Sequence, residues 1–121
     1  MPPYPHLAMR HLSEPVGAGG LERPDVSGQS GSVACGDAVS IDLAISAGRV
    51  RRAGFRAFGC GAATAAASAV CELVAGRSLD DALRLSGDDI DAALGGLGPD
   101  SLHGPATAAD ALARALERWY S

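Results

Sequence analysis

Three short segments place metal-binding side chains beside glycines: Cys35-Gly36-Asp37, Gly59-Cys60-Gly61 and Leu102-His103-Gly104. Together they offer two thiolates, one carboxylate and one imidazole. That donor set suits zinc or an iron–sulfur cluster, whereas calcium and magnesium favour oxygen ligands alone. None of the spacings is that of a zinc finger, so the fold must bring these side chains together.

Each residue also has a plainer reading. Cys60 precedes an apolar helical stretch, where the positive end of a helix dipole suits a thiolate ligand. A structural cysteine at a tight turn would look the same. Cys35 and Asp37 share a face if extended and converge if turned, yet Gly36-Asp37 also fits an ordinary surface turn. His103 stands just ahead of the last helix, and His6 and His11 carry no comparable context. Cys71 follows Cys60 by eleven positions, roughly 16 Å along a helix. It therefore reads as a small core residue outside any shared site. Arg49, Arg51, Arg52 and Arg56 read as a solvated sheet face, and Asp80, Asp81, Asp88, Asp89 and Asp91 as helix starts and surface.

The positioning elements follow from pattern. Ile41, Leu43 and Ile45 alternate with Ser40, Asp42 and Ala44, the mark of a half-buried strand. Ala47-Gly48 signals a turn into a second strand over 50–58, and a short third strand is expected ahead of Cys35. The alanine-dense run 62–75 is apolar nearly all round and reads as a buried helix, ended by Gly76. Ser78 with Asp81 resembles a capping box for a helix over 79–85. Asp88 is expected to cap another short helix, ending at Gly95-Gly96. The last helix is expected over 105–119, with Pro105 at its first position and apolar residues at a 3.6 period. Strands first and helices after predict an α+β fold.

Composition bounds the rest. The chain has 121 residues, 47% hydrophobic but only 4% aromatic, so one domain with a core of small aliphatics is expected. The net charge is −4 and every basic residue is arginine, which does not resemble a nucleic-acid-binding composition. The apolar run 62–75 carries Glu72 and is too short to span a bilayer. The first residues lack the charged and apolar regions of a signal peptide. A cytoplasmic protein with reduced cysteines is expected. Residues 1–31, rich in Pro, Gly and Ser, read as a flexible N-terminal segment with a short helix near 7–12, and 32–121 as the domain.

Read in order, the motifs are more specific. Ala34-Cys35-Gly36-Asp37, Phe58-Gly59-Cys60-Gly61-Ala62-Ala63 and Gly76-Arg77-Ser78-Leu79-Asp80-Asp81-Ala82 resemble the iron–sulfur scaffold family of IscU and the N-terminal domain of NifU. Asp89-Ile90, Gly96-Leu97 and Leu102-His103 continue the match, and His11 to Pro15 followed by Gly19 resembles the family's opening segment. The resemblance covers nearly the whole chain. It implies a SufE/NifU-like α+β fold, with a small antiparallel sheet of about three strands and helices on one face. A cluster site would lie at one end. It also implies that Cys35, Asp37, Cys60 and His103 hold a [2Fe–2S] cluster or iron, with cysteine desulfurase and recipient apo-proteins as partners. Mixed ligation of this kind is known for iron–sulfur centres.

The chain departs from the family pattern at two places. Gly104 stands where the family has a third cysteine, a ligand and natural sulfur acceptor. That weakens the expectation of persulfide delivery, and Gly104→Cys is expected to restore a ligand. The loop Leu97-Gly98-Pro99-Asp100-Ser101 lacks the lysine of the family's chaperone-recognition loop, which weakens the expectation of an Hsp70-type chaperone partner. The first expectation is a non-enzymatic scaffold or carrier for iron–sulfur clusters. The alternative is a zinc-binding structural or regulatory partner, since Cys, Asp, Cys and His also form a complete zinc set.

Overall fold

The computed structural model describes residues 4–32, 36–98, 101 and 103–121. Two long strands form its frame. Strand β2 (Asp37–Ser46) and strand β3 (Arg49–Phe58) are antiparallel neighbours joined through Ala47-Gly48. Both turn residues have positive φ, 54° and 72°, the requirement of a two-residue hairpin turn that matches strand twist. A register shift opposite Ala44 and Ile45 leaves Arg51 as an extra residue in β3.

Strand β1 (Val26–Ser32) completes an antiparallel sheet of order β1-β2-β3. Its sequence, with two glycines and three serines, has little strand propensity. Gly28 explains part of this composition. A Cβ there would run into the Ala111 carbonyl and the Ala115 nitrogen of the last helix. The strand forms because a helix lies directly on it, and a helix that close admits no side chain at that position.

Among the described residues the helices pack partly on the sheet and partly on one another. Helix α2 (Gly61–Val74) lies against β3, and helix α5 (His103–Tyr120) against β1, β2 and α2. Helix α1 (His6–Ser13) packs on α2. The sheet contributes Val39, Ile41, Leu43, Val50 and Phe55 to the core, facing Ala66, Ala67 and Val70 of α2 and Leu112 and Leu116 of α5. Alanine on the helix faces lets backbones approach closely, which is how a chain poor in aromatics still fills its interior.

Several expectations need correction. The N-terminal boundary at 31/32 cuts off the last residue of β1, and α1 is anchored, so residues 6–13 and 26–32 belong to the folded unit. His11 is 1% exposed, with Nδ1 2.7 Å from Ser68 Oγ, and that hydroxyl also accepts from Val16 N at 2.8 Å. Asp42, expected on a solvated strand face, is 3% exposed. Its carboxylate accepts from Leu21 N at 3.0 Å and Ser27 Oγ at 2.6 Å, so the chain before β1 crosses that face of the sheet.

Helix α3 (Leu79–Leu83) is shorter than expected and has only half of the capping box, Asp81 N donating to Ser78 Oγ. Helix α4 (Gly87–Ala93) has the full box, formed by Ser86 and Asp89 instead of Asp88. Helix α5 begins at His103, two residues early. Pro105 is its third residue, still in the first turn, where a missing N–H costs nothing.

Candidate metal centre

Asp37, Cys60 and His103 come from three elements and meet at one end of the sheet. Asp37 opens β2, Cys60 caps α2, and His103 opens α5. Their ligand atoms lie within 4.8 Å of one another. Asp37 organises the group. Its Oδ1 accepts from the Cys60 backbone N–H at 2.9 Å, and its Oδ2 lies 2.6 Å from His103 Nε2. Cys60 Sγ is 3.8 Å from both that carboxylate oxygen and that imidazole nitrogen.

These bonds bias protonation. The Cys60 N–H holds the Asp37 carboxyl below its ordinary range, helped by the Cys60 thiol and His103 and opposed by partial burial. A carboxylate kept ionised at neutral pH is ready to act as a ligand. Edges of a tetrahedral site built with ordinary zinc–nitrogen, –oxygen and –sulfur bonds are roughly 3.3–3.6 Å. The two sulfur distances are close to that, while the Asp37–His103 contact is a hydrogen bond that must open by about 0.7 Å to admit an ion between them. The donor set therefore fits a borderline metal or cluster iron after a small movement.

Local sequence dictates this convergence. Gly59 has φ 125°, and a Cβ on it would collide with Asp37 Oδ1 and the Gly36 carbonyl. Only glycine lets the end of β3 pass the start of β2 so closely. Cys60 then has φ −73° and ψ 164°, with no side-chain cap bond, so its thiol is not engaged in capping the helix. Cys60 is half-buried and His103 exposed, which leaves the group open to solvent and to a partner.

Of the expected site residues, the structure brings Asp37, Cys60 and His103 together, and Cys35 lies outside the described residues. Part of the chaperone-loop segment, Pro99 and Asp100, also lies outside them. Cys71 is 1% exposed, and burial pushes its thiol up to about 12; it is a core residue, as expected. Gly104 differs from expectation. It is buried in the first turn of α5, and a Cβ on it would stand 2.8–3.0 Å from the Ala62 carbonyl and Ala63 nitrogen. Its bareness lets the starts of α5 and α2 touch, so a cysteine there would push backbone apart. The sequence reading also gave Tyr4 no role, but its ring lies against Gly61 beside Cys60. A lone tyrosine in a Pro-rich start carries no periodic signal that could have placed it.

A three-stranded antiparallel sheet backed by helices, with sulfur, oxygen and nitrogen donors gathered at one end, defines a small α+β domain with a mixed-donor site. The family model described as NifU-like N terminal domain matches residues 3–121, and the chain belongs to that family. It is 42% identical over 120 residues to the bifunctional protein NifU/MnmA of Rubrobacter xylanophilus, a match that spans 98% of this chain and 25% of that protein. It is 33% identical over 117 residues to the iron-sulfur cluster assembly scaffold protein IscU 1 of Archaeoglobus fulgidus, spanning 97% of this chain and 76% of that one. The fold is similar to that of the nitrogen-fixing NifU-like protein (N-terminal) from Brucella abortus. The TM-score there is 0.75 at 18% identity, over 94% of this chain and 92% of that one. Both the family resemblance and the fold class read from the sequence are borne out.

Proposed function

We propose that this protein is an iron–sulfur scaffold or carrier that holds a [2Fe–2S] cluster, or its iron, as cargo at Cys35, Asp37, Cys60 and His103. The observation that carries this reading is the convergence of Asp37, Cys60 and His103 within 4.8 Å at an open end of the sheet. Relatives named as iron–sulfur cluster assembly scaffolds support it. A site with one carboxylate and one imidazole holds iron less tightly than four thiolates would, which suits release to another protein. The protein acts without catalysing a reaction of its own. Its partners are recipient apo-proteins and, for sulfur supply, a cysteine desulfurase. Among the described residues no helix is long and apolar enough to cross a membrane. A cytoplasmic location is part of the proposal.

Gly104 favours a second reading. The position of the family's third cysteine is filled by close backbone packing between α5 and α2, so sulfur would have to arrive on Cys35 or Cys60. A chain that keeps a four-donor site without the usual acceptor also fits a zinc-bound structural or regulatory partner. Reconstitution without oxygen separates the two. Iron and sulfide should yield a coloured chain that passes its cluster to an apo-ferredoxin. A chain that stays colourless and retains zinc under the same conditions favours the second reading.

A further inference from the structure

Four of the ten arginines, Arg49, Arg51, Arg52 and Arg56, lie on β3, which has no acidic residue. All four are exposed. The irregular register supplies an extra residue, Arg51. That bulge lets two consecutive side chains, Arg51 and Arg52, both reach solvent, where strict alternation would turn one inward. Among the described residues neither has an ion-pair partner. Arg49 donates to the Gly76 carbonyl at 3.1 Å. Arg56 lies 3.5 Å from Asp42, whose carboxylate is already bonded by Leu21 and Ser27. Five of the fourteen acids, Asp80, Asp81, Asp88, Asp89 and Asp91, lie away from this strand on α3 and α4.

The same strand leads to the metal centre. Arg52, Arg56 and Phe58 are spaced by even numbers and share the sheet face turned away from the helices, where Gly20 and Leu21 cross over Gly54 and leave the arginines on either side exposed. Phe58 is 52% exposed and flanks a shallow groove of about 380 Å³ with Gly31, Ala38 and Ser40. Ala38 adjoins Asp37, and Phe58 is two residues from Cys60.

We infer that this face of β3 is a docking surface for a partner protein whose contact face is acidic. Such a partner would place an apolar side chain beside Phe58 and so bring its own ligands to the Asp37–Cys60–His103 end. The inference rests on the carrier reading in taking the partner to be a cluster recipient. Charge complementarity selects it: exposed, unpaired cations in a chain of net charge −4 steer an acidic surface and disfavour a basic one. A second copy does not fit, because its acidic cluster lies on α3 and α4. That contact would be head-to-tail and would not close into a dimer.

The test uses the full chain loaded with zinc, titrated with an acidic plant-type apo-ferredoxin and followed by amide NMR shifts. Docking predicts shifts centred on residues 49–58, and binding about tenfold weaker at ~0.3 M than at ~0.05 M salt. The double variant Arg51→Glu/Arg52→Glu should weaken binding at least about tenfold, with the rest of its spectrum and its zinc content unchanged. Absent or salt-independent binding, or shifts centred elsewhere, would overturn the inference. So would tighter binding of a single-stranded oligonucleotide to the same face, or self-association that the double variant removes. Zinc loading keeps this outcome separate from that of the carrier reading, which is decided by iron and sulfide content.

Discussion

Asp37 contacts both of its neighbours in the candidate site, accepting from the Cys60 backbone and lying against the His103 imidazole. Removing its carboxylate frees both. Asp37→Ala is therefore expected to weaken zinc binding about tenfold or more, measured by competition with a chromophoric chelator. The cysteines differ as sharply. Burial pushes the Cys71 thiol up to about 12, and 1% of its surface is open to solvent. Cys60 is half-buried and Cys71 buried, so iodoacetamide on the native metal-free chain should modify Cys60 and spare Cys71; equal labelling would mean that the α2 core opens readily. The family resemblance makes Gly104→Cys a restored ligand, but the Ala62 carbonyl occupies the space a Cβ needs. The variant should lose about 1–3 kcal/mol of stability, read from denaturation, without gaining zinc affinity. Only the partner backbone across the helix contact reveals this, and no local motif encodes it.

At the scale of elements, buried His11 fastens α1 to α2. His11→Ala removes a buried hydrogen bond and leaves a cavity, so a loss of about 2–4 kcal/mol is expected from urea unfolding. Burial lowers the His11 pKa; Glu72 opposes this and Arg10 reinforces it. A folded pKa below the unfolded one means the unfolded chain binds more protons in between. The stability from His11 is then present above its unfolded value of 6.5 and is lost as pH falls from there toward the folded value. The urea midpoint should fall on acidification through that window, and His11→Gln should flatten the slope. The hairpin and α2 were legible because alternation and alanine density are local. Strand β1 was legible only as a short strand ahead of Cys35, because Gly28 answers to α5, more than eighty residues away at Ala111 and Ala115. Asp42 followed a polar-out pattern, yet the chain before β1 covers it, a burial that alternation cannot foresee.

Across the whole molecule, three chain segments far apart in sequence deliver sulfur, oxygen and nitrogen to one end of the sheet. Spacing gave no hint of that meeting, whereas the order of motifs did through family resemblance. The same fold leaves an arginine-lined face running toward the site, which the sequence could show only as four cations on a strand. The central claim is that this convergent site carries iron and sulfide as cargo. Its most direct test is the iron, acid-labile sulfide and zinc bound per chain after purification without oxygen, in the wild type and in Cys60→Ser. The account predicts iron and sulfide in near-equal amounts in the wild type and loss of both in the variant, with the fold intact. Zinc alone in the wild type, or iron and sulfide undiminished in Cys60→Ser, would contradict it.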